Sequence, residues 1–181
     1  MVVRSRIGRY WEFIMKITNK PPRFKQDNAV YFLTFCTYGK AKILLHPCVP
    51  EMLIENLRFY GARLKDLIAY TIMPDHIHAM AEITEIKILS AFLRDYKKRT
   101  SRKVRELAKP EIRFIWQRGT QDHYIRPCAS QKDFDNHIRY LFSNSWKHLH
   151  ISPRAFPYHN LDEAIVRGFI PADAFPADAY Q

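Results

Sequence analysis

The sequence predicts an α+β domain in which helices cover an antiparallel sheet. Three observations predict it. Segments of strand and helix character follow one another in the order β-α-β-β-α-β, the strand segments are β-branched and aromatic while the helical ones carry apolar stripes, and one more amphipathic segment follows the last strand. At 181 residues, 47% of them hydrophobic and 14% aromatic, the chain has material for one well-filled core.

Each element has its own justification. AVYFLTFCTYG, residues 29–39, is β-branched and aromatic, ends on a glycine, and reads as the first strand. VPEMLIENLRFYGARL places Leu53, Ile54, Leu57 and Tyr60 at helical spacing, and the period stops near Gly61. LKDLIAYTIM is a second strand, Pro74-Asp75 is a turn, and HIHAMAEI beyond it is a third strand that forms a hairpin with the second. A long helix over about residues 85–107 carries Leu89, Phe92, Leu93, Tyr96, Val104 and Leu107 on one stripe. EIRFIWQRGTQDHYIRP supplies two short strands broken near Gly119, and SQKDFDNHIRYLFSNSWKHL is the last helix, opened by Ser130 with Asp133 three residues on in the capping position.

This order suits a ferredoxin-like or RRM-like sheet with helices on one face and the other face open. Three segments are expected: a basic N-terminal extension over 1–20, the domain over 21–150, and a C-terminal tail over 151–181, rich in Pro and Ala around LDEAIVRGF.

Charge narrows the partners. Lys and Arg number 29 against 18 Asp and Glu, a net charge of +11 with a pI near 9.7, which points to a polyanion. The long helix concentrates Arg94, Lys97, Lys98, Arg99, Arg102, Lys103 and Arg105, relieved only by Asp95 and Glu106, and this face is expected to meet phosphates. Cys36, Cys48 and Cys128 are widely spaced, odd in number and without a CxxC pair, which fits reduced thiols in a cytoplasmic protein. No apolar run approaches the ~20 residues of a membrane span, and WEFIM near the N-terminus is too short for a signal-peptide core.

The chemistry gathers around TIMPDHIHAM. Side chains alternate along a strand, so His76, His78, Met80 and Glu82 share one face while Ile77, Ala79, Ala81 and Ile83 share the other. The small and branched set is the core face, and the histidines look toward solvent or a site. On the last helix Phe134, Ile138, Leu141 and Leu149 form the apolar stripe; Tyr140 points away from it, with Asn144 one turn on and Asp133, His137 and Lys147 on the same side. Two imidazoles on a strand and an amide or carboxylate from a neighbouring helix make three ligands of an open site for Mn²⁺, or for Mg²⁺ that keeps several waters. Tyrosine is then a candidate nucleophile, its phenol of ordinary pKa near 10 needing a cation nearby, which Lys147 could supply.

These motifs resemble a known family. YTIMPDHIHAM is similar to the His-hydrophobe-His (HUH) motif of single-tyrosine transposases, IWQRGTQDHYIR to the Trp-Gln segment before their last catalytic helix, and DFDNHIRYLFSNSWKHL to their tyrosine helix. Within that superfamily the REP-associated tyrosine transposases are nearest, because FPYHNLDEAIVRGFIPADAF also resembles their C-terminal tail. The resemblance runs from about residue 21 to 175. It implies that His76, His78 and Asn144 hold a divalent metal, Mg or Mn, and that Tyr140 attacks a phosphodiester in single-stranded DNA beside a hairpin to give a 5′-phosphotyrosine and a free 3′-hydroxyl. Rejoining reverses the step. The expected DNA contacts are the helix cations Arg94, Lys97, Lys98, Arg99, Arg102 and Lys103, with Arg126 and Lys147, while Trp116 and Tyr124 stack on bases. The resemblance allows a monomer or a homodimer that exchanges the tyrosine helix.

Two departures stand out. Asn144-Ser145 replaces the family's Asn-Pro, and Leu149 stands where a glycine is usual after Lys-His, so the helix is expected to run on. The alternative reading is a catalytically inactive, domesticated protein that still binds hairpin or single-stranded nucleic acid.

Overall fold

The computed structural model describes residues 26–125 and 130–180. Its main elements are β1 (Ala29–Cys36), α1 (Val49–Gly61), β2 (Asp66–Ile72), β3 (His76–Ile83), α2 (Ile86–Ala108), β4 (Gln121–Ile125), α3 (Ser130–Leu149) and α4 (Leu161–Val166). The strands pair in the order β2-β3-β1-β4, every neighbour antiparallel. The β2-β3 hairpin and the two helices α1 and α2 fall where the hydrophobic pattern put them. Among the described residues no helix is long and apolar enough to cross a membrane.

Alternation along the strands builds two cores. On one face Leu33, Phe35, Ile77 and Ala79 pack with Leu53 and Leu57 of α1 and with Phe92, Tyr96 and Val104 of α2. On the other, Phe32, Ile68, Ala69 and Met80 pack with Ile138, Leu141 and Phe142 of α3 and with Leu161, Ala164, Ile170 and Phe175 beyond it. The second face is therefore not open. Phe32 and Met80 are apolar where a solvated sheet would be polar, and α3 with the segment after it supplies the layer that buries them.

Two expectations are corrected here. Residues 111–120 do not form a strand: they touch the sheet through one bridge, Thr37 to Trp116, with Tyr38 N–H donating to the Ile115 carbonyl and Gln117 N–H to that of Cys36, both at 2.8 Å. Gly119, at φ 86°, then turns the chain into β4, a conformation that glycine adopts at low cost. The segment from Ser152 onward is closely bound. β2 is an edge strand, and its outer side is covered where Ile72 N–H donates to the Tyr158 carbonyl at 2.8 Å and Thr71 bridges His159.

Asn160 completes that cover. β2 has a register irregularity between Leu67 and Ala69, and beside it the buried Asn160 accepts from Tyr70 N–H through Oδ1 at 2.8 Å and donates through Nδ2 to the Ile68 carbonyl at 3.3 Å. Replacing Asn160 with Ala leaves two buried backbone groups unpaired, a loss of about 2 kcal/mol. Urea unfolding should show that loss together with a fall in Tm of about 6 °C; an unchanged midpoint would mean that water replaces the amide at no cost.

Candidate functional site

The two histidines enter from the first residues of β3, immediately after the turn at Pro74-Asp75. Thr37 fixes that turn, donating to the Asp75 carbonyl from its N–H at 2.8 Å and from its hydroxyl at 3.0 Å. His76 Nδ1 lies 2.6 Å from Asp75 Oδ1. His78 Nδ1 lies 2.8 Å from the hydroxyl of Thr34, its register partner on β1. Both Nδ1 atoms are thus engaged, which sets the rings and leaves Nε2 of each as the nitrogen available to a ligand. The ring centroids are 4.6 Å apart. Burial pushes the basicity of His76 down against the pull of Asp75, and pushes that of the enclosed His78 far down. Both rings are then neutral at pH 7, the state in which imidazole binds metal.

α3 lies over this pair. The Tyr140 ring is 5.5 Å from His78 and 5.9 Å from Phe32. Burial raises the pKa of the Tyr140 phenol, and the Lys147 ammonium sits 4.4 Å from its ring centroid. Burial also lowers the pKa of Lys147. The helical period put Tyr140 well away from the apolar stripe; here the buried surface of α3 is broad enough to include His137, Asn144 and Ser145, so Tyr140 flanks it rather than opposing it. The histidines correspondingly face a helix and not solvent.

Asn144 has no exposed surface, and its Nδ2 donates to the carbonyls of Tyr140 at 2.6 Å and Leu141 at 3.3 Å. Its Oδ1 is buried and lacks a hydrogen-bond partner among the described residues, as does the hydroxyl of Thr71, the β2 register partner of His78. A buried acceptor left unpaired costs about 1–3 kcal/mol, so an orphaned amide oxygen one turn from Tyr140 fits the place of a ligand atom. Two imidazole nitrogens and an amide oxygen suit Mn²⁺, or Mg²⁺ completed by water and phosphate.

The structure adds His148 and His123, which the sequence pattern did not single out. The His148 ring is 5.8 Å from His76, brought there by the uninterrupted last turns of α3. Ser145 is buried, its hydroxyl donating to the Phe142 carbonyl at 3.4 Å, and the helix does run on to Leu149 as the missing proline implies. His123, Asp133 and His137 form a second group whose ligating atoms lie within 4.8 Å of one another. Asp133 and His137 sit at i and i+4 on α3, a spacing that signals a shared helix face; the contribution of His123 depends on how β4 docks.

Other expected contacts are displaced. α2 packs on the sheet face opposite α3, so Arg94, Lys97, Lys98, Arg99, Arg102 and Lys103 do not line the histidine face. Several have partners already. Arg94 pairs with Asp95 at 2.9 Å, Arg102 and Lys103 with Glu106 at 3.0 and 3.1 Å, and Lys97 donates to the carbonyls of Gln117 and Gly119. Lys98 and Arg99 are exposed. Trp116 is a core residue and not a free stacking surface: it is 7% exposed, its indole N–H donates to Thr100 at 2.9 Å, and its ring meets Phe35 at 5.8 Å. Tyr124 leans on Tyr31 at 5.9 Å. Arg126 lies outside the described residues.

Comparison with known proteins agrees with this architecture. A family model described as transposase IS200 like matches residues 25–144. A Haemophilus influenzae protein assigned as a REP-associated tyrosine transposase is 27% identical over 154 residues, 80% of this chain and 86% of that one. The solved structure of a REP-associated tyrosine transposase bound to a REP hairpin superposes with a TM-score of 0.69 at 21% identity, covering 85% of this chain and 89% of the other, a likeness of fold. The family match begins before β1 and ends on Asn144, so it takes in the histidine strand and the tyrosine helix alike, and on that ground the chain belongs to the family of IS200-like transposases.

Proposed function

We infer that the protein cuts and rejoins a DNA strand beside a hairpin, using Tyr140 as nucleophile. The observation that carries this reading is the convergence of two strand histidines 4.6 Å apart with a helix tyrosine 5.5 Å from the second of them. Family membership and the likeness to a hairpin-bound relative support DNA as the substrate. In the forward step the Tyr140 oxygen forms a bond to phosphorus and the P–O3′ bond breaks, giving a 5′-phosphotyrosine and, once a proton is taken up, a 3′-hydroxyl; attack by another 3′-hydroxyl reverses it.

The chain's own residues divide the work. Lys147, over the Tyr140 ring, offsets negative charge as the phenolic proton is lost. Asp75 and Thr34 orient His76 and His78. Those two rings with Asn144 Oδ1 would hold a divalent cation, Mg²⁺ or Mn²⁺, and the chemistry it supplies is polarisation of the phosphodiester. All of these groups come together within one chain, which supports a site formed by the monomer rather than by exchange of the tyrosine helix.

Mixing the protein with labelled hairpin DNA that carries single-stranded flanks, in Mn²⁺ or Mg²⁺, should yield a covalent protein-DNA species. Tyr140→Phe should abolish it while binding stays within about twofold; hairpin binding with no adduct from the parent protein would favour the inactive binder instead.

His76→Ala should lower cleavage by at least about 100-fold with a much smaller effect on DNA affinity, since it removes a ligand and no phosphate contact. Cleavage at the parent rate in that variant would overturn the metal assignment.

Thr34→Val removes the group that orients His78 without touching metal or DNA. Its Mn²⁺ affinity, read by calorimetry, should drop about 10-fold. Parent affinity would show that packing against Phe32 alone sets the ring.

A further inference from the structure

Among the described residues Tyr38 and Phe114 are two of the few large apolar side chains left at the surface, 51% and 50% exposed, and they stand together with ring centroids 5.7 Å apart at 63°. Single exposed aromatics are common. A pair is less so, and the backbone beneath this one is firmly held. Tyr38 N–H donates to the Ile115 carbonyl at 2.8 Å, Arg105 donates to the carbonyls of Ile112 and Arg113, and the adjoining Trp116 is fixed by Thr100 at 2.9 Å. Full burial of a ring of this size is worth about 1.5–3 kcal/mol; here two such rings are anchored from below and their outer surfaces left to solvent.

The surroundings are cationic. The Arg113 guanidinium lies 5.2 Å from the Phe114 ring centroid, and Lys40, Lys42 and Arg118 are exposed on the same two segments. The pair also stands at the end of the sheet where the histidines enter. Thr37, next to Tyr38, carries both hydrogen bonds to the Asp75 carbonyl, and the Lys40 charge is felt at His76. Aromatic rings flanked by cations beside a site for DNA-strand chemistry have the composition of a single-strand binding surface, where bases stack on rings and phosphates meet the charges.

We propose that Tyr38 and Phe114 form a stacking platform for an unpaired base of the DNA strand that runs to Tyr140, with Arg113, Lys40 and Lys42 holding the adjacent phosphates. This rests on the reading of the chain as a DNA-strand transferase and adds to it the residues that select single-stranded flank over paired stem. The platform replaces Trp116, which the core has taken. Stacking of one base is worth about a factor of ten in affinity by side-chain truncation.

The test uses the full chain, the variants Tyr38→Ser, Phe114→Ser and the double substitution, and hairpins with single-stranded flanks or with blunt ends. In fluorescence anisotropy the double variant should bind the flanked hairpin about 10-fold more weakly and the blunt hairpin as the parent does. An abasic position scanned along the flank should reproduce that loss in the parent at one site and add nothing in the double variant. Tyr38→Phe and Phe114→Tyr, which keep the rings, should restore parent affinity. Unchanged binding of the flanked hairpin, or an equal loss on the blunt one, would overturn the platform. Adduct formation through Tyr140 at saturating DNA reports separately on the strand-transfer reading: its absence in the parent sinks that reading while the anisotropy still decides the platform.

Discussion

Phe32 is the contact on which the rest of the site depends. Its ring, on the second face of β1, meets His78 at 5.1 Å, His137 at 5.2 Å and Tyr140 at 5.9 Å, so one side chain touches the second strand histidine, the other histidine group and the tyrosine helix. It is 4% exposed. Burying a phenylalanine contributes about 2 kcal/mol, and here that driving force has a direction: with Ile68, Ala69 and Met80 on the same face, it draws α3 down onto the sheet at the height where the imidazoles stand.

The two faces carry different duties. α1 and α2 fill one side with a broad apolar core, in which Phe35 meets Tyr96 and Trp116 edge to face. The buried side chains of this layer are almost all apolar or aromatic. The other side holds the histidines, Asn144 and Tyr140 among fewer apolar neighbours, and is closed by residues after α3 that also cover the edge of β2. The terminal segment therefore acts twice, protecting an edge strand and completing the layer that holds α3 in place.

Charge follows this division only in part. The cations of α2 are numerous but lie across the sheet from Tyr140, and several are spent on Asp95, Glu106 and backbone carbonyls. Exposed ion pairs of this kind contribute little to stability and leave the net charge of +11 to act as a long-range field. Close to the histidines the cations among the described residues are placed one by one: Lys147 over the tyrosine, and Lys40, whose charge reaches His76.

The sequence by itself determined the order of elements, the face on which His76 and His78 stand, and the helix that carries Tyr140 and Asn144, because period-two and period-3.6 patterns are local properties of the chain. The likeness of the His76-His78 strand and of the Tyr140 helix to family motifs was legible as well, because those motifs are short stretches of contiguous sequence. Only the tertiary structure decided that the second sheet face is covered, that Trp116 belongs to the core while Tyr38 and Phe114 stay outside, that the α2 cations look away from the site, and that His148 and His123 join the histidine groups. Each of these turns on which surface buries which, a competition among elements distant in sequence, and a local pattern carries no record of the winner.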